Sequence, residues 1–534
     1  MYGSSRTNAI CRARAIPIRG IMKSMDAIQL GIFSSRISAV CDEMGAVLRR
    51  AAFSPNIKDR LDYSCAIFDP RGQLCAQAAH IPVHLGSMAW AMTGLVAERT
   101  WAEGDMVVLN DPFRGGTHLP DITLLAPVFV QRQCVAFVAN RAHHADIGAE
   151  SPGSMPIGSR LDEEGLILPP TLLVRAGVVQ PEVLERIIAA THNRAVTEGD
   201  FSAQISANRT GVQRVQALLA GLTGETWLRR LELLNDYGER MARATLESLP
   251  DGRYRFEDVM DDDGQGNRDI PLRVCLTVVA GRVQVDFSGT AGQVDGNINC
   301  PLSVTAAAVF YVFRCLMDER TPACAGSFRR IELRAPEACL VNARPPAAVA
   351  AGNVETSSRI VDLLLGALAQ AVPERVTAAS QGTMNNLAMG ARSARDSWDY
   401  YETIGGGMGA HVQGNGLDAV QSHMTNTLNT PIEVLEGNYP VRIHRYAVRR
   451  GSGGSGRHRG GNGLCREYEF LAPAQVTLLT ERRRHRPWGL LGGGAGAPGE
   501  NRLNGRALAA KQLVQVGSGD RLLVETPGGG GCLL

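Results

Sequence analysis

The chain has 534 residues, 44% of them apolar and 20% charged, and its 55 basic and 53 acidic residues leave a net charge of +2. This length exceeds one ordinary hydrophobic core, so two or three globular domains are expected. The balanced charge gives no electrostatic basis for binding nucleic acid or an anionic membrane, and no uninterrupted apolar run reaches the roughly 20 residues of a membrane helix.

In chain order, the first 25 residues carry Arg6, Arg12, Arg14, Arg19 and Lys23 without an acid. They superficially resemble a transit peptide but lack a long apolar core. Residues 1–25 are therefore read as a disordered or mis-assigned N-terminal extension, centred on Met22 or Met25. Residues 28–53 follow a helical period, with Ile32, Ile37, Val40, Met44 and Leu48 expected on one buried face. Residues 63–78 read as a hairpin turning at Pro70, Arg71 and Gly72. Strands are expected at 106–109, 122–129 and 134–139, then helices at 181–190, 201–222 and 225–248. Beyond Pro250 the pattern changes to strands at 254–261 and 272–287 with turns at Gly264 and Gly281, followed by helices at 305–317 and 357–371. From Pro440 onward, glycine alternates with short β-type runs. The expected fold is mixed α+β and multidomain, with helical and sheet layers: an α/β domain at 26–250, a central α+β domain at 251–439 and a glycine-rich β domain at 440–534.

The densest chemistry lies between Asp111 and Asp146. NDPFRGGTHLPDITLL sets His118 three residues before Asp121, with Pro120 stiffening the loop, and RAHHADIGAESPGSMP supplies His143, His144 and Asp146. A histidine beside an aspartate is by itself an ordinary hydrogen-bonded pair. Five such residues within 36 positions of a chain with only 11 histidines point instead to a metal site, because imidazole and carboxylate are ligands for zinc, manganese and iron. Both motifs read as the ends of neighbouring strands, where a rigid sheet can aim several ligands at one point.

Other candidates are balanced between roles. His80 and His84 flank Pro82, which argues for extended backbone. His84 is thus either a ligand, a support for one, or a structural hydrogen-bond partner. His411, His423, Asn426 and Glu433 either line a substrate pocket or stabilise a long loop. His192, His444, His458 and His485 neighbour arginines and read as ordinary surface or loop residues. The 12 cysteines form no C-x-x-C pair and read as reduced, mostly buried thiols. Gly494, Gly496 and Gly499 fit G-x-G-x-x-G, but Pro498 interrupts them and no helix pattern follows. The glycine-rich run at 451–463 lacks the G-K-[ST] ending of a phosphate loop. These glycines read as tight turns, which leaves no nucleotide site in the chain itself. No G-x-S-x-G elbow signals serine chemistry.

The wording DPFRGGTHLPD, HHADIG and PGSMP resembles the hydantoinase B and oxoprolinase family. Ordered matches continue in NIKDRLDYS, IPVHLGSM, EEGLILPP, GDFSAQISAN, PPAAVAAGNVET, QGTMNN, HMTNTLNTPIEVLE and RRGSGGSGRHRGGNG, along nearly the whole chain. The family includes the B subunit of ATP-dependent N-methylhydantoinase, the matching half of 5-oxoprolinase and the metal-bearing subunits of acetone and acetophenone carboxylases. The chain departs from the pattern at Ala149, where a second glycine is usual, and at CAGSFRRI from Cys324 to Ile331.

The resemblance implies the B subunit of an ATP-dependent cyclic amidohydrolase that opens a lactam or imide ring with metal-activated water. His118, Asp121 and His143 would be ligands of a divalent metal, zinc or manganese before iron. Asp146 would be a fourth ligand or general base, and His144 a support or proton carrier. Arg114 and Arg141 would bind an anionic product or phosphorylated intermediate, unless they are loop salt bridges, and His423 and Asn426 would contact substrate. ATP would enter through a partner ATPase subunit of the hydantoinase A type, in a cytoplasmic hetero-oligomer. Two alternatives remain: the metal-bearing subunit of an acetone-carboxylase-like ligase, and a noncatalytic scaffold for the ATPase subunit.

Overall fold

The computed structural model describes residues 27–78, 80–392 and 397–533, so the extension expected at 1–25 lies outside the described residues. Helix α1 (Ala27–Ala51) buries Leu30, Phe33, Ile37, Val40, Met44 and Leu48. Ile32, expected on that face, is 51% exposed. It precedes Ile37 by five residues, well off the stripe that a 3.6-residue period makes, whereas Phe33 precedes it by four and takes the buried place.

After the short helix α2 (Pro55–Lys58) comes a sheet of seven strands: β1 (Tyr63–Phe68), β2 (Leu74–Gln77), β3 (Met106–Leu109), β4 (Asp121–Val130), β5 (Gln133–His143), β6 (Thr171–Arg175) and β7 (Val178–Val179). Their order is β2-β1-β5-β4-β3-β6-β7, with every neighbouring pair antiparallel. Helix α3 (Pro82–Ala97) covers one face, where Phe68, Met88, Met92, Leu109 and Phe137 cluster. Helices α1, α4 (Pro181–Ala190), α5 (Arg194–Leu219) and α6 (Gly224–Glu247) lie on the other, around Ile67, Ile122, Val138, Phe201 and Trp227. Two-sided burial explains why these strands read as continuous apolar runs rather than as alternation. Helix α5 starts seven residues earlier than expected, because the Asn193 side chain accepts from the Val196 amide and caps it.

A second sheet, β8 (Gly252–Asp262), β9 (Arg268–Val279), β10 (Arg282–Asp286) and β11 (Ile331–Arg334), has the order β11-β10-β9-β8. It shares one core with α7 (Leu302–Leu316) and α8 (Ser357–Leu368). A π-helical turn, Gly352–Thr356, runs directly into α8.

The C-terminal region holds β12 (Asn386–Ala391), β13 (Trp398–Glu402), α9 (Ile432–Asn438), β14 (Val441–Arg449), β15 (Gly463–Phe470), β16 (Ala474–Leu479), β17 (Glu500–Leu503), β18 (Arg506–Ala507), β19 (Lys511–Val516) and β20 (Arg521–Glu525). They form two sheets, β13-β12-β16-β19 and β14-β15-β20-β17-β18. Asn386 pairs with Leu479, so ladder hydrogen bonds join the segments on either side of Pro440. The architecture is mixed α+β and multidomain.

The glycine-rich segments serve chain packing. Gly529 and Gly531 donate backbone hydrogen bonds of 2.9 Å to the carbonyls of Gly461 and Gly494. A Cβ at Gly460 would lie 1.9 Å from the Gly529 oxygen, and one at Gly528 would lie 1.9 Å from the Ser452 oxygen, so no side chain fits between these strands of backbone.

Candidate metal centre

Strand β4 begins at Asp121 and β5 ends at His143, and the two residues are direct cross-strand partners. Paired residues share a face of the sheet, and His143 Nδ1 lies 3.2 Å from Asp121 Oδ1. His118 joins them through a tight turn in which the Asp121 amide donates to the His118 carbonyl at 3.1 Å. The turn brings His118 Nε2 to 3.1 Å from the same Asp121 oxygen. Ligand atoms of His118, Asp121 and His143 all lie within 4.8 Å of one another, and all three side chains are buried.

Two buried nitrogens there, His118 Nε2 and His143 Nε2, make no hydrogen bond of acceptable geometry. Burying an unpartnered polar atom is costly, and an imidazole nitrogen without a hydrogen-bond partner is free to bind a divalent ion. His118 Nδ1 faces the Ala350 carbonyl at 3.3 Å, the usual way a ligating imidazole keeps its other nitrogen free. The donor set therefore fits a divalent metal. The partly open space beside them has a volume of about 20 Å³ and is also lined by Asp62, His84, Asn353 and Tyr401, which is room for one water or ion.

The second Asp121 oxygen is held as firmly as the first. It accepts from Thr117 Oγ1 at 2.5 Å and from Asn353 Nδ2 at 3.3 Å, and His84 Nε2 lies 3.3 Å away. Burial alone would raise the Asp121 pKa, but the imidazoles of His118, His84 and His143 packed around it hold it well below the usual carboxylate range. Burial pushes the His143 pKa down against the pull of Asp121. Tyr401 stacks on the His143 ring at 4.5 Å and 16°, and its hydroxyl donates to Asn386 Oδ1 at 2.7 Å.

The extended backbone expected around Pro82 is not found. Pro82 occupies the first turn of α3, where its missing N–H costs nothing. The helix carries His84 into the site, while His80 Nδ1 accepts from the Cys65 amide at 3.1 Å. His144 points to the opposite face of the sheet from His143, as successive strand residues do, with its Nε2 3.0 Å from Gln204 Oε1. Asp146 accepts the amides of Gly148, His192 and Asn193 at 3.0, 2.5 and 3.0 Å, tying its loop to the start of α5. His144 and Asp146 line a separate cavity of about 70 Å³. The loop after Asp146 takes its positive φ at Gly148 and not at Ala149, so the alanine is accommodated without strain.

Arg114 does not reach the site: it is exposed and pairs with Glu98 at 2.6 Å. Arg141, two residues before His143 and on its face, is buried and donates to Thr123 Oγ1, Ser87 Oγ and the Gly115 carbonyl at 2.8, 2.6 and 2.9 Å. Burial draws its pKa down to about 10, opposed by the charge of Asp121. His423 Nε2 lies 3.4 Å from Asp362 Oδ1, and Asn426 donates to the His80 carbonyl at 3.3 Å. Neither touches the cluster, although Thr425 between them lines its cavity. His411 Nδ1 accepts from the Gln413 amide at 3.3 Å. The described cysteines are free thiols, and burial pushes Cys300, for example, up to about 12. Among the described residues no helix is long and apolar enough to cross a membrane.

The sequence profile of the hydantoinase B/oxoprolinase family matches residues 26–532. The chain belongs to this family.

Among its relatives, an uncharacterized protein of Methanocaldococcus jannaschii is 40% identical over 95% of this chain and 90% of its own length. The 5-oxoprolinase 1 of Arabidopsis thaliana is 39% identical over 95% of this chain and 42% of its own. The chain thus spans about two fifths of the length of that oxoprolinase. A protein of Pseudomonas sp. strain NS671, named as the B-type subunit of a D-/L-hydantoinase, is 32% identical over 93% of this chain and 86% of its own. The crystal structure of an ATP-dependent caprolactamase from Pseudomonas jessenii superposes with a TM-score of 0.87 at 27% identity, covering 96% of this chain and 91% of that one. A nucleotide-free acetone carboxylase shares the fold, with a TM-score of 0.85 at 17% identity over 95% and 75% of the two chains.

In this hydantoinase B/oxoprolinase chain a reading of motifs misses Asp62 and Asn353, which line the cavity, Glu164, which accepts the amide of Ala350 beside His118, and Tyr401, which stacks on His143. The first three sit in NIKDRLDYS, GNVET and EEGLILPP, segments that carry the family likeness. Nothing local marks any of the four as a neighbour of His118, because 46 to 283 positions separate them from it.

Proposed function

We propose that the chain is the catalytic B subunit of an ATP-dependent hydantoinase/oxoprolinase-type amidohydrolase that opens a lactam or imide ring. The observation that carries this reading is the buried His118, Asp121 and His143 cluster with its two unpartnered imidazole nitrogens. The likeness to an ATP-dependent caprolactamase over nearly the whole chain supports cyclic-amide chemistry. The likeness to a protein named as a B-type hydantoinase subunit supports a separate ATPase subunit of the A type. On this reading the complex is a cytoplasmic hetero-oligomer, and ATP reaches the reaction only through the partner.

His118, Asp121 and His143 would hold a divalent ion, zinc or manganese before iron given the nitrogen and oxygen donors. When bound, such an ion supplies a Lewis acid for the ring carbonyl and lowers the pKa of a water. The chain's own residues supply the rest. Thr117, Asn353 and His84 hold one Asp121 oxygen so that the other stays directed at the two histidines. Tyr401 covers His143 and excludes bulk water. Arg141 adds a fixed positive charge beneath the strand pair, which favours negative charge developing on a carbonyl oxygen. His84 is positioned to hold a proton at Nε2, between Asp121 at 3.3 Å and Asp62 at 3.8 Å. His144 and Asp146 brace the loop from the other face rather than act on the substrate.

The His80–Val83 and Met424–Asn426 segments, which contribute Val83 and Thr425 to the lining of the site, are joined by hydrogen bonds of 3.3 Å from the Val83 amide to the Met424 carbonyl and from Asn426 to the His80 carbonyl.

The deciding experiment is ATP-coupled turnover by the chain co-purified with its A-type partner. Release of an N-carbamoyl acid or open-chain amino acid supports the reading. Bicarbonate consumption with a ketone identifies a carboxylase instead, and the absence of stoichiometric metal identifies a scaffold.

A further inference from the structure

We infer that Glu164 is a positioning residue for the metal centre, gripping the peptide that holds His118 in the tautomer able to bind an ion. The inference rests on the metal reading above and concerns a residue outside the ligand cluster.

Glu164 is fully buried, whereas its neighbours Asp162 and Glu163 are exposed. No cation pairs with it among the described ion pairs. Its Oε1 accepts two consecutive backbone amides, Val349 at 2.9 Å and Ala350 at 2.8 Å. The carbonyl of the same Ala350 faces His118 Nδ1 at 3.3 Å. A carbonyl can only accept, so the contact requires a proton on Nδ1, which in the neutral ring leaves the Nε2 lone pair free. That Nε2 is the unpartnered nitrogen 3.1 Å from Asp121.

The gripped segment carries a second support for the cluster. Three residues after Ala350, Asn353 donates to Asp121 Oδ2 at 3.3 Å. One carboxyl on the Leu161–Glu164 turn therefore fixes the chain that orients two of the three ligands. An apolar residue of the same volume would pack as well but would leave two adjacent amides buried without an acceptor. Burial raises the Glu164 pKa to about 8 against those two amide bonds. Its Oε2 has no partner. Only the acceptor at Oε1 is needed, and glutamine supplies that too.

The test uses the full chain and the variants Glu164→Leu, Glu164→Asp and Glu164→Gln. Binding of Zn(II) and of Mn(II) to metal-free protein is measured by calorimetry, with circular dichroism to verify folding. Imidazole ¹⁵N shifts of the metal-free chain report the His118 tautomer. In the leucine and aspartate variants we expect metal affinity weakened by about 10- to 100-fold and loss of the pure Nδ1–H tautomer of His118. Glutamine restores both to within about threefold of the parent, because its carbonyl still accepts the two amides. If leucine fails to fold, aspartate decides, since it keeps the acid and loses only reach. Parent-like metal affinity and an unchanged tautomer in a folded leucine or aspartate variant would overturn the inference. A parent that binds neither ion removes the metal reading instead, and the tautomer in the metal-free variants still decides the role of Glu164.

Discussion

Asp121 and His143 stand opposite each other across β4 and β5 because of a single extra residue. The two-residue turn at Gln131 and Arg132, both with positive φ, pairs Val130 with Gln133, and Phe129 pairs with Cys134. Continued without interruption, that register would set Asp121 against Ala142. A bulge leaves Val135 between the pairs Phe129–Cys134 and Val128–Ala136, shifting the remaining ladder by one so that Asp121 meets His143. A bulge that re-aims side chains beside a site is a recurring device.

If the paired residues and His118 share one ion, His118→Ala or Asp121→Ala loses metal and ring opening together. The double variant costs little more, because residues that act as a unit are not additive. Melting temperature should fall less than activity does, since a large core does not depend on one ion to fold. Elemental analysis, thermal melts and ATP-coupled hydrolysis on all three variants check this. Full metal retention with activity above about a tenth of the parent in both single variants would sink the assignment.

Protein purified without chelator is expected to carry about one divalent ion per chain. The same chain without a partner should show no micromolar affinity for ATP by calorimetry. Either tight ATP binding or normal activity with far less than one ion contradicts the division of labour proposed above.

The two arginines near the first motif should behave oppositely. Arg141→Met removes three hydrogen bonds and leaves the groups around them buried, a loss of about 3 to 5 kcal/mol. Arg114→Ala breaks only an exposed pair with Glu98 and should stay within about 0.5 kcal/mol of the parent. Urea unfolding measures both. Equal, small effects would mean that the Arg141 side chain is not held as described.

Asp146→Ala should destabilise the chain by about 1 to 2 kcal/mol, as loss of a capping carboxylate does, while metal content stays at the parent level. Loss of metal at unchanged stability would return Asp146 to the ligand set.

Glu355, in the π-helical turn, has its pKa raised to about 7, chiefly by burial and further by Glu481, against a hydrogen bond with Thr383. The unfolded carboxyl titrates near about 4.3, so between these values the folded state binds more protons. Stability from this group is therefore fully present below about pH 4.3 and is lost as pH rises through about 7, by a total on the order of 3 kcal/mol. Glu355→Gln does not titrate. Relative to it, the parent should lose stability between about pH 4.3 and 7 in denaturant titrations, and a constant difference would refute the buried, protonated state.

Much of this protein can be read along the chain. Helix α4 has the bounds expected from its period, and the 63–78 hairpin turns where proline and glycine demand it. His118, Asp121 and His143 stand out because ligand-type residues crowd two short motifs, which is local information. Local information also misleads. Pro82 reads as a helix breaker, yet at the first turn of α3 it is a helix starter, and only the packed helix shows that His84 reaches Asp121. His144 and Asp146 sit beside true cluster members in sequence, but strand alternation and the amides at the start of α5 take them elsewhere.

Sequence by itself determined many of the helices and strands, α4 and the 63–78 hairpin among them, and which residue types can bind a metal, because periodicity and donor chemistry are properties of short stretches. Tertiary structure alone decided which of those donors converge, since convergence depends on a one-residue bulge at Val135, on the face that each strand residue takes, and on Glu164 gripping a peptide 185 residues away.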